Sequence, residues 1–278
     1  MDVEQRADDE EDEYKIKKMA IKLQKIREER KNNKLLFRID GASEAFANTI
    51  RRLIIEEVPT LAVEDVEIKE NDSALYDEML ALRLGLTPIK TDLKSYRLPE
   101  SEDEVTEKSA RCTLQLRLKA AKKGYVCAEE AESGDPKCIF VYPKMPIVKL
   151  LSKQKLDVTM TAVMGQGKDH IKWAPGWAFY MKEPVLKVGA VKYPQNIMNL
   201  CTDNVFTLKN NKLQVNQDMV YQSHLLTYYA EIDENIIVEY TDNIIFTLES
   251  WGQLSCKEIL QKSAEILIDK VTELEQHI

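Results

Sequence analysis

The chain has 278 residues and a formal net charge of −8. This length is enough for one large domain or two smaller ones with a sizeable core. The charge is uneven, because residues 1–13 hold eight acids and one arginine and leave the remainder close to neutral. A nearly neutral body argues against broad, sequence-independent binding of nucleic acid, which needs clustered lysine and arginine.

The sequence shows no membrane or export signal. No apolar run approaches the ~20 residues that a membrane helix needs, and the acidic N-terminus lacks the apolar region of a signal peptide. The cysteines are odd in number and scattered, which is typical of free thiols in a reducing compartment: Cys112, Cys127, Cys138, Cys201 and Cys256. We therefore expect a cytoplasmic protein whose residues 1–16 form a disordered acidic tail.

The first elements are a hairpin and a helix. Residues 17–41 alternate with a period close to two and predict a hairpin with its turn near Asn32 and Asn33. Ser43 is a good N-cap for a helix over residues 43–58, which Pro59 ends. The apolar face of this helix comprises Phe46, Ile50, Leu53, Ile54 and Val58. Arg51 and Arg52 interrupt that stretch, and on pattern alone such a pair is typical of a solvated helix edge.

The middle of the chain predicts mainly strands. LAVEDVEI (residues 61–68) alternates with a slip at Glu64-Asp65 that indicates a β-bulge. Residues 73–85 predict a second helix, and residues 99–110 a mobile loop. Two further strands follow in CTLQLRLKA and near residues 155–165. The predicted apolar face of the second helix comprises Leu75, Met79, Leu82 and Leu86.

The C-terminal region predicts two strands and a long helix. IIVEY and IIFTLES (residues 236–250) flank TDN, a turn signal. Ser255 to Glu258 forms a capping box. The apolar residues then repeat every 3.5 positions, as in a helix that packs along another helix: Leu260, Ala264, Leu267, Val271, Leu274 and Ile278. An ordinary amphipathic helix on its own sheet and a helix that pairs with a partner both fit this pattern.

No catalytic pattern is evident. The three histidines, His170, His224 and His277, belong to no nucleophile–base pattern that a sequence can support. MGQGKDH (residues 164–170) imitates a phosphate-binding loop but departs from that motif after the lysine, so a glycine turn after a strand is favoured. Without an evident catalytic pattern, the sequence favours an interaction protein over an enzyme.

Five stretches together resemble one family. They are FANTIRRLIIEEVPTLAVEDV (46–66), RLGLTPI (83–89), VYPKMPIVKL (141–150), GKDHIKWAPG (167–176) and FTLESWGQLS (246–255). In this order they closely resemble the D subunits of archaeal RNA polymerase, a family that includes the third-largest subunit of eukaryotic polymerase II and the bacterial α amino-terminal domain. The resemblance covers residues 17–278.

The resemblance implies a non-catalytic assembly subunit with an α+β fold. A discontinuous dimerisation domain, an antiparallel sheet with two packed helices, would comprise residues 17–58, 176–184 and 232–278. Residues 59–175 would form an inserted, mostly-β domain. The chain would pair with the small subunit L and then bind the second-largest subunit and the small subunits N and P. DNA and RNA would be contacted only through the complex.

The resemblance also assigns an interface. The apolar face of the first helix and the 3.5-residue seam would lie in the dimer core, and Arg51 and Arg52 would face the second-largest subunit, where planar guanidinium groups suit multi-donor contacts. The dimer-core residues would be Phe46, Ile50, Ile54, Leu260, Ala264, Leu267, Val271 and Leu274.

Residues 185–231 resemble a ferredoxin-like module that has lost its cluster ligands. The four ligand positions fall at Cys201, Tyr221, His224 and Thr227, and a thiolate-bound cluster needs three or four soft anionic ligands. We therefore expect no iron–sulfur cluster. We also expect no zinc, because residues 90–111 contain no cysteine. Residues 201–227 contain one cysteine, which argues against an iron–sulfur redox protein. A hydrolase or phosphotransferase would need a catalytic pair or phosphate loop that is not evident.

Overall fold

A computed structural model of the chain describes residues 21–210 and 212–277. The predicted acidic tail and Ile278 lie outside these residues. The described chain packs as two compact units. The first comprises residues 21–27, 36–47 and 180–246, and the second comprises residues 28–35, 48–179 and 247–277. The domain boundaries implied by the resemblance stay a prediction.

The described residues form twelve strands and seven α-helices. The strands are β1 (Lys22–Glu29), β2 (Lys34–Asp40), β3 (Thr60–Asn71), β4 (Thr113–Ala120), β5 (Gly124–Cys127), β6 (Ala131–Ser133), β7 (Pro146–Leu150), β8 (Leu156–Gly165), β9 (Gly176–Val188), β10 (Phe206–Lys209), β11 (Lys212–Val215) and β12 (Ile236–Ser250). The helices are α1 (Glu44–Arg52), α2 (Asp77–Gly85), α3 (Glu102–Thr106), α4 (Pro194–Leu200), α5 (Gln217–Val220), α6 (Leu226–Ile232) and α7 (Cys256–Gln276). A mixed α+β fold is thereby confirmed.

One four-stranded sheet has the order β1-β2-β12-β9. The predicted hairpin is confirmed, with Asn33 at a positive φ of 50° in its turn. The predicted turn at TDN is wrong, because β12 runs unbroken through it. The polar side chains there bind within the sheet: Thr241 Oγ1 and Asn243 Nδ2 donate to the Glu183 carboxylate at 3.2 and 2.8 Å.

The second unit is built on the sheet β3-β8-β4-β6. The predicted bulge is confirmed, because the register of β3 against β8 shifts between Val63 and Asp65. Alternate residues of β4 enter the core, as period-2 patterning predicts. This core includes Leu61, Val63, Leu116, Leu118, Val126, Leu150, Val158 and Met160.

Two predictions in this unit are wrong. Helix α2 buries Leu80 and Leu84, whereas Met79, Leu82 and Leu86 are 47%, 53% and 51% exposed. The helix is apolar on two sides, so the sequence could not decide which side packs inward. Residues 99–110 contain the short helix α3, which Arg97 fixes through hydrogen bonds to Glu104 at 3.0 and 2.6 Å.

In the first unit, α4, α5 and α6 pack with the antiparallel pair β10–β11. Their shared core comprises Leu186, Ile197, Val205, Phe206, Val220, Leu226, Tyr229 and Ile236. The ferredoxin-like identity of this region stays a prediction.

Candidate assembly interface

The helix that carries the two arginines ends in a π-helical turn. Ser43 Oγ accepts a hydrogen bond from the Phe46 amide at 3.2 Å, which confirms the predicted N-cap. After Arg52 the chain widens into a π turn over Leu53–Glu57, closed by a bond from the Val58 amide to the Leu53 carbonyl at 3.1 Å. Such turns are rare and occur frequently at functional sites.

A neighbouring loop supports this turn. The Lys168 amide donates to the Glu56 carbonyl at 3.0 Å, and Gln166 Nε2 donates to the Glu57 carbonyl at 2.8 Å. Between them, Gly167 lies so close that a Cβ would overlap the carbonyl oxygen of Ile55. The glycine of GKDH therefore permits close backbone packing. This agrees with the interpretation of MGQGKDH as a glycine turn rather than a phosphate-binding loop.

The two arginines lie along the helix surface. Arg51 Nε donates to Asn48 Oδ1 at 3.0 Å. Arg52 donates from Nε and Nη2 to the two carboxylate oxygens of Glu56 at 3.1 and 3.0 Å. The hydrogen bond with Arg52 lowers the pKa of the Glu56 carboxyl. The guanidinium of Arg52 is thus oriented, yet its side chain remains 61% exposed.

The apolar face of α1 and the π turn is largely buried. Ile50 is 8% exposed and Ile54 is fully buried, while Phe46 is half-buried. Sequence reasoning therefore selected core residues here, and only Phe46 retains surface that another chain could cover.

The terminal helix α7 begins at the predicted capping box. Ser255 Oγ accepts from the Glu258 amide at 3.3 Å, and the Ser255 amide donates to Glu258 Oε2 at 2.9 Å. The side of α7 that packs on its own unit carries Ile259 and Ser263, which are 0% and 1% exposed.

The 3.5-residue seam lies about a quarter turn away from that buried side, at about 100° per residue. Leu260 and Leu267 are half-buried and Ala264 is exposed. Val271 and Leu274 are 48% and 60% exposed. The distal seam therefore faces away from the core of its own unit and exposes apolar surface to solvent.

Helix α7 and the π turn lie side by side. Lys270 Nζ contacts Glu57 Oε1 at 3.0 Å, and a cleft of about 240 Å³ between the two elements is lined by Asn48, Arg52, Glu56 and Lys270. The oriented Arg52 and the exposed seam thus belong to one continuous surface of the second unit.

A second exposed surface brings together four of the five family-like stretches. We call it the four-motif patch: Leu86, Tyr142, Ile171 and Trp251, which are 51%, 43%, 60% and 43% exposed. They border a cavity of about 340 Å³. Backbone hydrogen bonds join the stretches, from Val141 to Pro88 at 2.9 Å and from Trp251 to Pro175 at 3.0 Å. Sequence reasoning found the stretches but not their convergence, because they are far apart in the chain.

The four predicted cluster positions differ in burial and in their hydrogen-bond partners. Cys201 is half-buried, whereas His224 and Thr227 are exposed. The Tyr221 hydroxyl donates to Glu183 at 2.7 Å. Within residues 21–210 and 212–277, no group of three or more His, Cys, Asp or Glu side chains is placed to hold a metal ion.

A carboxylate that sequence reasoning missed organises this region. Asp203 accepts from the Tyr229 hydroxyl at 2.8 Å, from Ser223 Oγ and from the Cys201 thiol at 3.3 Å. Burial raises the pKa of Asp203, but these hydrogen bonds outweigh it and the net pKa is lowered. Burial also raises the pKa of Tyr229 strongly, so its hydroxyl stays a donor.

A capped terminal helix with an exposed heptad seam, beside a π turn whose Glu56 orients Arg52, is typical of a dimerisation module. The RNA polymerase Rpb3/Rpb11 dimerisation domain matches residues 36–271. The chain belongs to this family. The resemblance drawn from its motifs is confirmed.

Similar proteins that carry a name support membership of this family. The DNA-directed RNA polymerase subunit Rpo3 of Methanosarcina acetivorans is 34% identical over 244 residues, which cover 86% of this chain and 91% of that protein. Its namesake from Pyrococcus horikoshii is 34% identical over 240 residues, covering 85% and 90%. The Archaeoglobus fulgidus protein of that name is 31% identical over 252 residues, covering 90% and 96%.

Proposed function

We propose that this chain is a non-catalytic assembly subunit of DNA-directed RNA polymerase and pairs with the small subunit L. The matched family is a dimerisation domain, and the similar proteins are polymerase subunits by name. The observation that carries the pairing is the distal seam of α7, exposed at Val271 and Leu274 while Ile259 is buried. A partner helix along the seam would remove this apolar surface from water.

The arginine pair is assigned to the next assembly step, binding of the second-largest subunit. Arg52 is oriented by Glu56 and remains exposed, and Arg51 is oriented by Asn48. Because their conformations are already restricted, less side-chain entropy is lost when a partner carboxylate or carbonyl binds them.

The four-motif patch is assigned to a further polymerase subunit, with the small subunits N and P as the candidates. Four large apolar side chains around one cavity are typical of a protein interface. The patch supports such a contact because its backbone is fixed by the hydrogen bonds of Val141 and Trp251.

The proposed subunit works without a metal or a cluster and contacts DNA and RNA only through the complex. The support is chemical: Tyr221, His224 and Thr227 replace thiolates, and Cys201 donates to Asp203. None of the helices in the described ranges is long and apolar enough to cross a membrane. The scattered thiols support a cytoplasmic location.

Affinity purification of the chain from its own cells tests this function. An N-terminal tag leaves α7 untouched, and the account predicts that the two largest polymerase subunits and a small partner co-elute in fixed ratio. A Leu267→Asp variant, which places a carboxylate in the seam, should lose them all, whereas Gln276→Glu on the opposite side of α7 should retain them. Elution of the wild-type chain alone would contradict the proposal.

A further inference from the structure

Two connections of the second unit form a lysine-rich surface. β4 leads into β5 through residues 121–123, and β7 leads into β8 through residues 151–155. Since Ala120 pairs with Leu156 and Gly124 pairs with Leu150, the two connections lie side by side. The segments 119–125 and 149–155, which we call the lysine loops, contain six exposed lysines and no acid: Lys119, Lys122, Lys123, Lys149, Lys153 and Lys155.

The positive charge of the lysine loops is mostly uncompensated. Asp157 contacts Lys119 at 3.6 Å but is also bound by Arg117 at 3.0 Å. Glu70 contacts Lys155 at 3.5 Å. Lys122, Lys123 and Lys153 form no ion pair with a described residue. In a chain of net charge −8, this is a local reversal of sign.

An apolar cavity of about 280 Å³ adjoins the lysine loops. We call it the Tyr125 pocket, and its walls include Ala74, Leu75, Tyr125, Ile147, Val148 and Lys149. Tyr125 is 66% exposed, and Lys149 Nζ lies 5.2 Å from the centre of its ring. Arg83 fixes one wall by donating to the carbonyls of Pro146 and Ile147 at 2.6 and 2.8 Å.

We propose that the lysine loops and the Tyr125 pocket together bind an acidic peptide segment that carries a large apolar side chain. The pocket is small for a cofactor, since ligand sites usually measure ~300–1,000 Å³, but it suits one bulky side chain. The lysines surround it with flexible cationic heads that can follow the carboxylates of an extended chain.

The same surface fits a nucleic-acid strand less well. A strand needs several aromatic side chains on which successive bases stack, and Tyr125 is the exposed ring among the walls of the pocket. The neighbouring Arg83 and Arg117 are already held by carbonyls and by Asp157. The lysines therefore favour an anionic ligand, and the apolar walls of the pocket favour a peptide over a nucleic-acid strand.

Fluorescence anisotropy with a labelled peptide of sequence DEDFEDLLDE tests the proposal, with the full chain in the assembly in which it purifies. Reversing Lys122, Lys123 and Lys153 to Glu should weaken binding about tenfold, since three surface charge contacts are lost. The matched control reverses Lys22, Lys209 and Lys212, three exposed lysines elsewhere, and should leave binding unchanged. Tyr125→Ala should also weaken binding, and so should a peptide in which Ser replaces Phe and Leu.

Four outcomes would overturn the proposal. Equal binding of the peptide by the two triple variants would show that the lysine loops are not part of the binding site. Equal binding of the Ser peptide would reduce the contact to bulk charge attraction. Tighter binding of an oligothymidylate of equal charge, if the Lys122, Lys123 and Lys153 reversal weakens it, would assign the surface to nucleic acid. Tighter binding of the peptide after deletion of residues 1–13 would identify this chain's own acidic segment as the occupant.

Discussion

The Asp203→Ala substitution should destabilise the first unit. Asp203 accepts hydrogen bonds from Tyr229, Ser223 and Cys201. Tyr229 is fully buried and Ser223 is 9% exposed, so neither hydroxyl could be rescued by bulk solvent. An unsatisfied buried polar group costs about 1–3 kcal/mol. Two such groups, with incomplete additivity, give an expected loss of about 2–5 kcal/mol in the free energy of unfolding.

Urea unfolding followed by circular dichroism, with the chain in complex, measures this loss. Asp218→Ala is the matched control, because Asp218 is an exposed acid of the same unit, and it should change stability by less than about 0.5 kcal/mol. Similar unfolding of the two variants would refute the role assigned to Asp203.

The pH dependence supplies a second measurement of the same carboxylate. The pKa of Asp203 is lowered in the folded chain, so its contribution is fully present above the ordinary aspartate pKa of about 3.9 and is lost as the pH falls through the folded value. The stability difference between wild type and Asp203→Ala should therefore shrink on acidification. A difference that grows on acidification would refute this sign.

Three further predictions concern the interface and its support. Arg51→Ala combined with Arg52→Ala should spare pairing with subunit L but weaken addition of the second-largest subunit by about 2–5 kcal/mol in stepwise reconstitution; normal addition would return the pair to a solvated edge. Metal analysis of anaerobically purified protein should find neither an iron–sulfur cluster nor stoichiometric zinc, and several iron atoms per chain would show that the ligand positions were misassigned. Gly167→Ala should destabilise the second unit by more than about 1 kcal/mol, because its Cβ would overlap the Ile55 carbonyl, whereas Gly189→Ala, with its nearest neighbour at 3.4 Å, should be tolerated.

Local signals were sufficient for the caps, the hairpin and the bulge. Ser43 and Ser255 each bind amides within three residues, so short sequence windows contain all the partners. The bulge at Glu64-Asp65 likewise follows from a break in alternation along one strand. Such features could be predicted because the interacting groups are neighbours in the sequence.

Features decided by distant partners could not be predicted. The TDN stretch stays extended because Glu183, 58 and 60 residues away, binds Thr241 and Asn243. The role of Asp203 has no local sequence signal, since its donors Ser223 and Tyr229 follow 20 and 26 residues later. The buried side of α2 depended on tertiary packing, because leucines occupy both of its sides.

The role of the α7 seam could be predicted only in part from the sequence. Its period of 3.5 left two interpretations open, and the exposure of Val271 and Leu274 favours the one with a partner helix. The interface itself stays a prediction, because it depends on a second chain.

The central claim is tested most directly by the dissociation constant of this chain with subunit L, measured for Val271→Ala combined with Leu274→Ala. Complete burial of such a side chain contributes about 1.5–3 kcal/mol. Because Val271 and Leu274 are 48% and 60% exposed, pairing should contribute about half of that free energy at each position. The expected loss is about 2 kcal/mol, a dissociation constant raised roughly 30-fold. Gln276→Ala, a truncation on the opposite side of α7, should leave the constant unchanged. A double variant that pairs as tightly as Gln276→Ala would contradict the account and place the dimer interface elsewhere on the chain.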